Sequence, residues 1–154
     1  MLATLLREEQ AAVELLAQQL RCEYAVLKTH DAPGLEQVVR EKLICADHLQ
    51  TLVAARLDYL RAHGFTADRQ GLTAYIAAAP PDVQALLSTL VADLESVAAQ
   101  ARKQNEVNGS VIAASRGYVE QALAILSGRD PLDFLYDQET RKIFGNSSLP
   151  IAKV

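Results

Sequence analysis

From Asp82 to Ser127 the chain contains no proline, and two rows of residues recur at heptad spacing across the whole stretch. Leu87, Leu94, Ala101, Asn108, Ser115 and Ala122 form one row; Leu90, Val97, Gln104, Val111, Tyr118 and Ile125 form the other. Between them lies Asn105-Glu106-Val107-Asn108-Gly109, which reads locally as a turn. A turn would reset the phase, yet the phase is kept. The spacing therefore predicts a single helix of about 45 residues, roughly 65–70 Å long at the usual helical rise. Its first half is a Leu/Val seam. Its second half mixes Asn, Ser, Gly and Ala with Val, Ile and Tyr. A seam that is apolar but polar-spotted suits exchangeable partners better than a permanent core.

Two shorter periodic segments precede it. The first runs from about Leu2 to His30, with Leu6, Val13, Leu20 and Leu27 seven apart and Leu2, Leu5, Leu16 and Tyr24 widening the stripe. The second runs from about Pro33 to His63 and carries the rows Val39, Ala46, Val53, Leu60 and Val38, Cys45, Leu52, Tyr59. Pro33 is tolerated in a first turn, where its missing N–H has no partner to lose, and Asp31 is placed to cap. Gly64 ends the segment. A short helix is expected at about Asp68–Ala78, and Pro80-Pro81-Asp82 opens the long one. Short connections make consecutive helices antiparallel neighbours. The expected fold is all-α: an elongated antiparallel bundle of three long helices plus a short one. Residues 1–128 form the helical bundle domain, and 129–154 an irregular C-terminal tail with a short amphipathic segment. Two helices of about 30 residues cover only part of a 45-residue partner, so the surface around Val111–Leu126 is expected to be loosely covered.

Composition supports this class. Half of the 154 residues are hydrophobic but only 5% are aromatic, and Trp does not occur. Ala and Leu, the strongest helix formers, dominate. A formal net charge of −4 and the lack of a basic cluster argue against nucleic acid or an anionic membrane as partner. No apolar stretch reaches membrane-spanning length, and no signal peptide is visible, so direct membrane insertion is not expected and a cytoplasmic location is. Cys22 and Cys45 are expected as small buried residues of a reducing compartment.

No reaction chemistry stands out. Helical bundles that bind di-metal centres need Glu-x-x-His pairs, and the residues three before His30, His48 and His63 are Leu27, Cys45 and Leu60. No glycine-rich phosphate loop is present, and Ser110, Ser115 and Thr89 have no neighbouring His and acid. The chain is therefore not expected to be an enzyme or to hold a cofactor. Glu9, Leu16, Glu23 and His30 on the first helix, and Leu35, Lys42, Leu49 and Arg56 on the second, alternate apolar and charged residues along a seam edge. They read as flanking ion pairs, Glu23–Lys42 and Glu9–Arg56, or as a polar site within the bundle. Asn105 and Asn108, one turn apart, read either as a polar break that fixes helix alignment or as groups facing a partner. Gly109 and Gly117 weaken the helix and permit close approach of another one.

Several of these residues resemble a known family. Lys42, Leu43, Leu49, Arg56, Leu60 and Gly64 in the second helix are similar to the FlgN-type flagellar export chaperones. So are Asn105-Glu106-Val107-Asn108-Gly109 with Ile112 three residues on, and the ending Leu123, Leu126, Gly128, Leu135-Tyr136-Asp137 and Gly145. The resemblance implies a cytoplasmic bundle without ATPase activity. It would bind the hook-associated proteins FlgK and FlgL through their terminal helices and deliver them to the export gate protein FlhA. It implies that the C-terminal part of the chaperone binds the client and that Tyr136 in the tail binds the gate. The client surface expected from these readings comprises Asn105, Asn108, Val111, Ile112, Tyr118, Val119, Leu123 and Leu126. The gate contact comprises Phe134, Leu135 and Tyr136. The rival reading is a structural or signalling bundle that self-associates through the same helix.

Overall fold

The computed structural model describes residues 1–126, which hold four helices and no strand. Helix α1 spans Leu2–Thr29, α2 Ala32–Ala62, α3 Arg69–Ala77 and α4 Pro81–Leu126. The chain divides into two compact units, Met1–Gly109 and Ser110–Val154. Residues 110–126 of α4 are the described part of the second. The expected boundary between residues 128 and 129 lies outside the described residues, as do Phe134, Leu135 and Tyr136.

Local chemistry sets the boundaries within the first unit. Helix α1 ends where His30 adopts a left-handed conformation (φ 54°), which lets Asp31 N–H reach back to the Val26 carbonyl at 3.2 Å. Asp31 then serves as the cap of α2: its carboxylate accepts from Gly34 N–H at 3.0 Å, with Pro33 in the first turn. Gly64, at φ 82°, supplies the positive dihedral that turns the chain away after α2. Asp68 repeats the device for α3, accepting from Gly71 N–H at 2.7 Å. Gly71 has no alternative here, because a Cβ at that position would sit 1.8 Å from the Thr66 carbonyl oxygen. Helix α4 starts at Pro81, with Asp82 in its positive first turn, and runs unbroken through Asn105–Gly109 as the heptad phase requires.

Leu2, Leu6, Val13, Ala17 and Leu20 of α1 meet Leu60 of α2, Leu72 of α3 and Leu87, Leu90, Leu94 and Ala101 of α4 in a single apolar core. Helix α1 is the central element of the unit and buries residues along its whole length. In contrast, α2 buries only Cys45 and Leu60, and its remaining Val and Leu residues are half-buried or exposed. One expectation fails at Cys22, which is exposed while Cys45 is buried. Cys22 lies two residues past Leu20, which turns it about 200° away from the core stripe.

Candidate binding surfaces

Two carboxylates lie inside the first unit, and both are paired. Glu9 is 5% exposed and accepts from Arg56 in a fork, Nε to Oε2 at 2.7 Å and Nη2 to Oε1 at 3.2 Å. Glu23 is 1% exposed; its Oε1 accepts from Lys42 Nζ at 2.5 Å and its Oε2 from Asn108 Nδ2 at 2.8 Å. The same Asn108 amide donates to the Leu20 carbonyl at 2.8 Å, and its Oδ1 accepts from Gln104 Nε2 at 2.9 Å. The expected ion pairs are both present. The acids lie within the bundle rather than along its edge, and the Glu23 cluster joins α1, α2 and α4. Burying a carboxylate is costly unless its oxygens are satisfied, and here every oxygen has a donor.

The structure decides between the two readings of Asn108, a polar break that fixes helix alignment or, with Asn105, part of the client-facing surface. In the structure it is 1% exposed and both its Nδ2 hydrogens and its Oδ1 are bonded within the bundle, so it is a core residue that fixes the register of α4 against α1. Asn105, one turn earlier, is exposed. It stands at the mouth of a groove of about 520 Å³ open along the first unit. Val13, Leu16 and Leu20 of α1 form the floor, Lys42, Leu43, Ala46 and Leu49 of α2 one wall, and Ala98, Ala101, Arg102, Asn105 and Glu106 of α4 the other. Sequence reading did not single out this groove. The available signal was alanine at Ala46, Ala98 and Ala101, where two facing helices lack the side chains that would close the gap between them.

In the second unit, the described part of α4 buries no residue. Ile112, Tyr118, Val119, Leu123 and Leu126 are 46%, 74%, 58%, 57% and 83% exposed, and Val111 is half-buried. These are the expected client-surface residues. A Cβ added at Gly109 or Gly117 would meet nothing within 4 Å, so neither glycine accommodates a close helix approach within the described residues.

A smaller aromatic corner closes the α2–α3 turn. Tyr59 and Tyr75 hydroxyls lie 3.1 Å apart, the His63 ring stacks on Tyr59 at 4.1 Å, and Phe65 packs edge-on to Tyr75 at 5.3 Å. The bond to Tyr59, followed by burial, pushes the Tyr75 phenol above its ordinary 10.0. Among the described residues no group of His, Cys, Asp or Glu side chains could hold a metal ion, and no helix is long and apolar enough to cross a membrane.

The described residues form an all-α bundle whose last helix ends in an exposed apolar run. The sequence model of the FlgN protein family matches residues 1–141, and the chain belongs to that family. A crystal structure of an FlgN protein assigned to flagella synthesis in Pseudomonas aeruginosa is similar, with a TM-score of 0.61 and 26% sequence identity. The match covers 71% of this chain and 84% of that one. No curated protein matches the chain.

Proposed function

We propose that this protein is a cytoplasmic export chaperone of flagellar assembly. It holds the hook-associated proteins FlgK and FlgL before their secretion and brings them to the gate protein FlhA. The observation that carries this reading is the exposed apolar run Ile112, Tyr118, Val119, Leu123 and Leu126 on a helix of a chain that belongs to the FlgN family. Ile112, Val119, Leu123 and Leu126 stand seven, four and three residues apart, the spacing of one helix face, and such a face is what a client's amphipathic helix packs against in helix-in-groove recognition. The binding needs no catalysis and no nucleotide: a micromolar complex, about 8 kcal/mol, holds the client and still releases it. Phe134, Leu135 and Tyr136 form the gate contact in this reading, with the Tyr136 ring as anchor.

Calorimetry with a C-terminal client peptide tests the client surface. Ile112→Ala and Leu123→Ala should each cost about 2 kcal/mol of binding. Together they should weaken the complex on the order of a thousandfold if the effects add, with helical signal retained. Unchanged affinity sinks the assignment. In the same series Tyr136→Ala should spare melting and client affinity while weakening FlhA binding. Light scattering with and without client separates this reading from a self-associating bundle, which would dimerise without any client.

A further inference from the structure

Burial along α4 ends at one residue. Leu87, Leu90, Leu94 and Ala101 are buried, then Asn108, and none of the described residues after it. We propose that Asn108, with Glu23 and Lys42, forms a polar clamp that ends the cooperative bundle. Opening of α4 from its C-terminal side stops at the clamp and does not reach the Leu core. The clamp belongs to the first unit, and it stands apart from the chaperone reading.

Beyond Asn108 the helix is cheap to open. Residues 110–126 bury no residue, so opening them returns little dry surface to water. Gly109 and Gly117 each favour the open chain on the order of fivefold relative to Ala. Neither has a neighbour that calls for a glycine, since an added Cβ would meet nothing within 4 Å. Val111, Ile112 and Val119 are β-branched and lose side-chain freedom in a helix.

The clamp is directional. Asn108 Nδ2 donates to the Leu20 carbonyl and to Glu23 Oε2, both at 2.8 Å, while its Oδ1 accepts from Gln104 Nε2 at 2.9 Å. Glu23 Oε1 takes the Lys42 ammonium, so α1, α2 and α4 meet at one carboxylate. Apolar contacts are non-directional and tolerate a small slide; two hydrogen bonds to acceptors three residues apart on α1 do not. Peeling α4 past this point strips a donor from a carboxylate that is 1% exposed. A buried acceptor left unsatisfied costs more than an ordinary hydrogen bond contributes.

The next anchor toward the N-terminus is weak. Ala101 stands one heptad earlier and buries a single methyl group, and the next buried Leu is Leu94. Without the Asn108 amide, opening therefore runs back about one heptad, to the neighbourhood of Ala101.

Amide hydrogen exchange at single-residue resolution, on the full chain with no client present, tests the clamp. Wild type should exchange slowly through the turn that follows Asn108 and at least about tenfold faster over 113–126. In Asn108→Ala the boundary should retreat to about Ala101, with amides 102–108 about tenfold faster than those around Leu94. Asn108→Leu, which keeps the volume and drops the hydrogen bonds, should behave the same way. Gly117→Ala should slow exchange over 110–126 on the order of fivefold and leave residues 1–108 as in wild type. Circular dichroism establishes that each variant is folded; if Asn108→Ala is not, Asn108→Leu decides alone. Equal protection up to residue 126 in wild type overturns the clamp, and so does a boundary that stays in place in Asn108→Ala. A wild-type boundary in Asn108→Leu overturns it by showing that packing, not hydrogen bonding, makes the stop. Uniform acceleration across the first unit makes Asn108 an ordinary core residue and overturns it too. If Gly117→Ala protects residues 1–108 together with 110–126, opening is not halted at Asn108 and the proposal falls.

Discussion

Glu9 and Glu23 show how a charged residue is kept inside an apolar bundle. Each carboxylate is nearly inaccessible, and each faces a cation from α2 whose head reaches the acid. Desolvation cancels much of the Coulomb gain in such pairs, so their net stabilisation is small while the loss of one partner is not. The Arg56 side chain is 15% exposed, so Glu9→Ala leaves a cation with little access to water. We expect that variant to lose about 3–5 kcal/mol in urea unfolding. Glu9→Met combined with Arg56→Leu should return to near wild-type stability, because no buried charge remains. A double variant as unstable as the single one would mean that the pair itself, rather than its isolation, matters.

Among the elements, α3 depends most on its cap. Nine residues are too few to be stable alone, and Asp68 supplies the N-terminal acceptor. Hydrogen bonds from Gly71 N–H, then from the Thr66 hydroxyl, hold the Asp68 carboxyl below its ordinary 3.8. A depressed carboxylate stabilises the fold above its unfolded pKa and ceases to as pH falls through the folded value. Asp68→Ala should therefore melt below wild type at neutral pH, and the gap should close as pH drops below about 4. Asp68→Asn, which can still cap but carries no charge, should fall between the two at neutral pH and keep a gap to Asp68→Ala that does not change with pH. A gap between wild type and Asp68→Ala that is independent of pH would show that the carboxylate charge has no part in the cap. The elements themselves are legible in the sequence because local signals agree: apolar period, Asp caps and Pro or Gly boundaries all mark the same residues. The left-handed His30 is not legible, since nothing in its type demands a positive φ.

Along the described length of α4, burial falls off toward its C-terminal part. Leu87, Leu94, Ala101 and Asn108 of one heptad row are buried, whereas Ser115 of the same row is half-buried and Ala122 exposed. Periodicity alone could not distinguish these halves, because a heptad row looks the same whether its neighbour is present or not. Residue type carried the hint: Leu in the first half, Ser, Gly and Ala in the second. At Asn108 the sequence left a polar break in the core and a client-facing group equally open, because the groups that satisfy it lie 85 and 88 residues away. The groove escaped for a related reason, since it is defined by three helices and by the smallness of alanines that a pattern counts as apolar. Stability and binding should therefore separate along α4. Leu94, 9% exposed, belongs to the core, and Leu94→Ala should cost about 2–5 kcal/mol of folding stability. Val119, 58% exposed, belongs to the proposed client surface, and Val119→Ala should change stability by no more than about 0.5 kcal/mol. Client affinity should show the opposite order, with the folded Leu94 variant binding nearly as wild type and the Val119 variant more weakly. If Val119→Ala instead lowers the urea midpoint as far as Leu94→Ala does, the second half of α4 is part of a packed core and its exposed face is not a client surface.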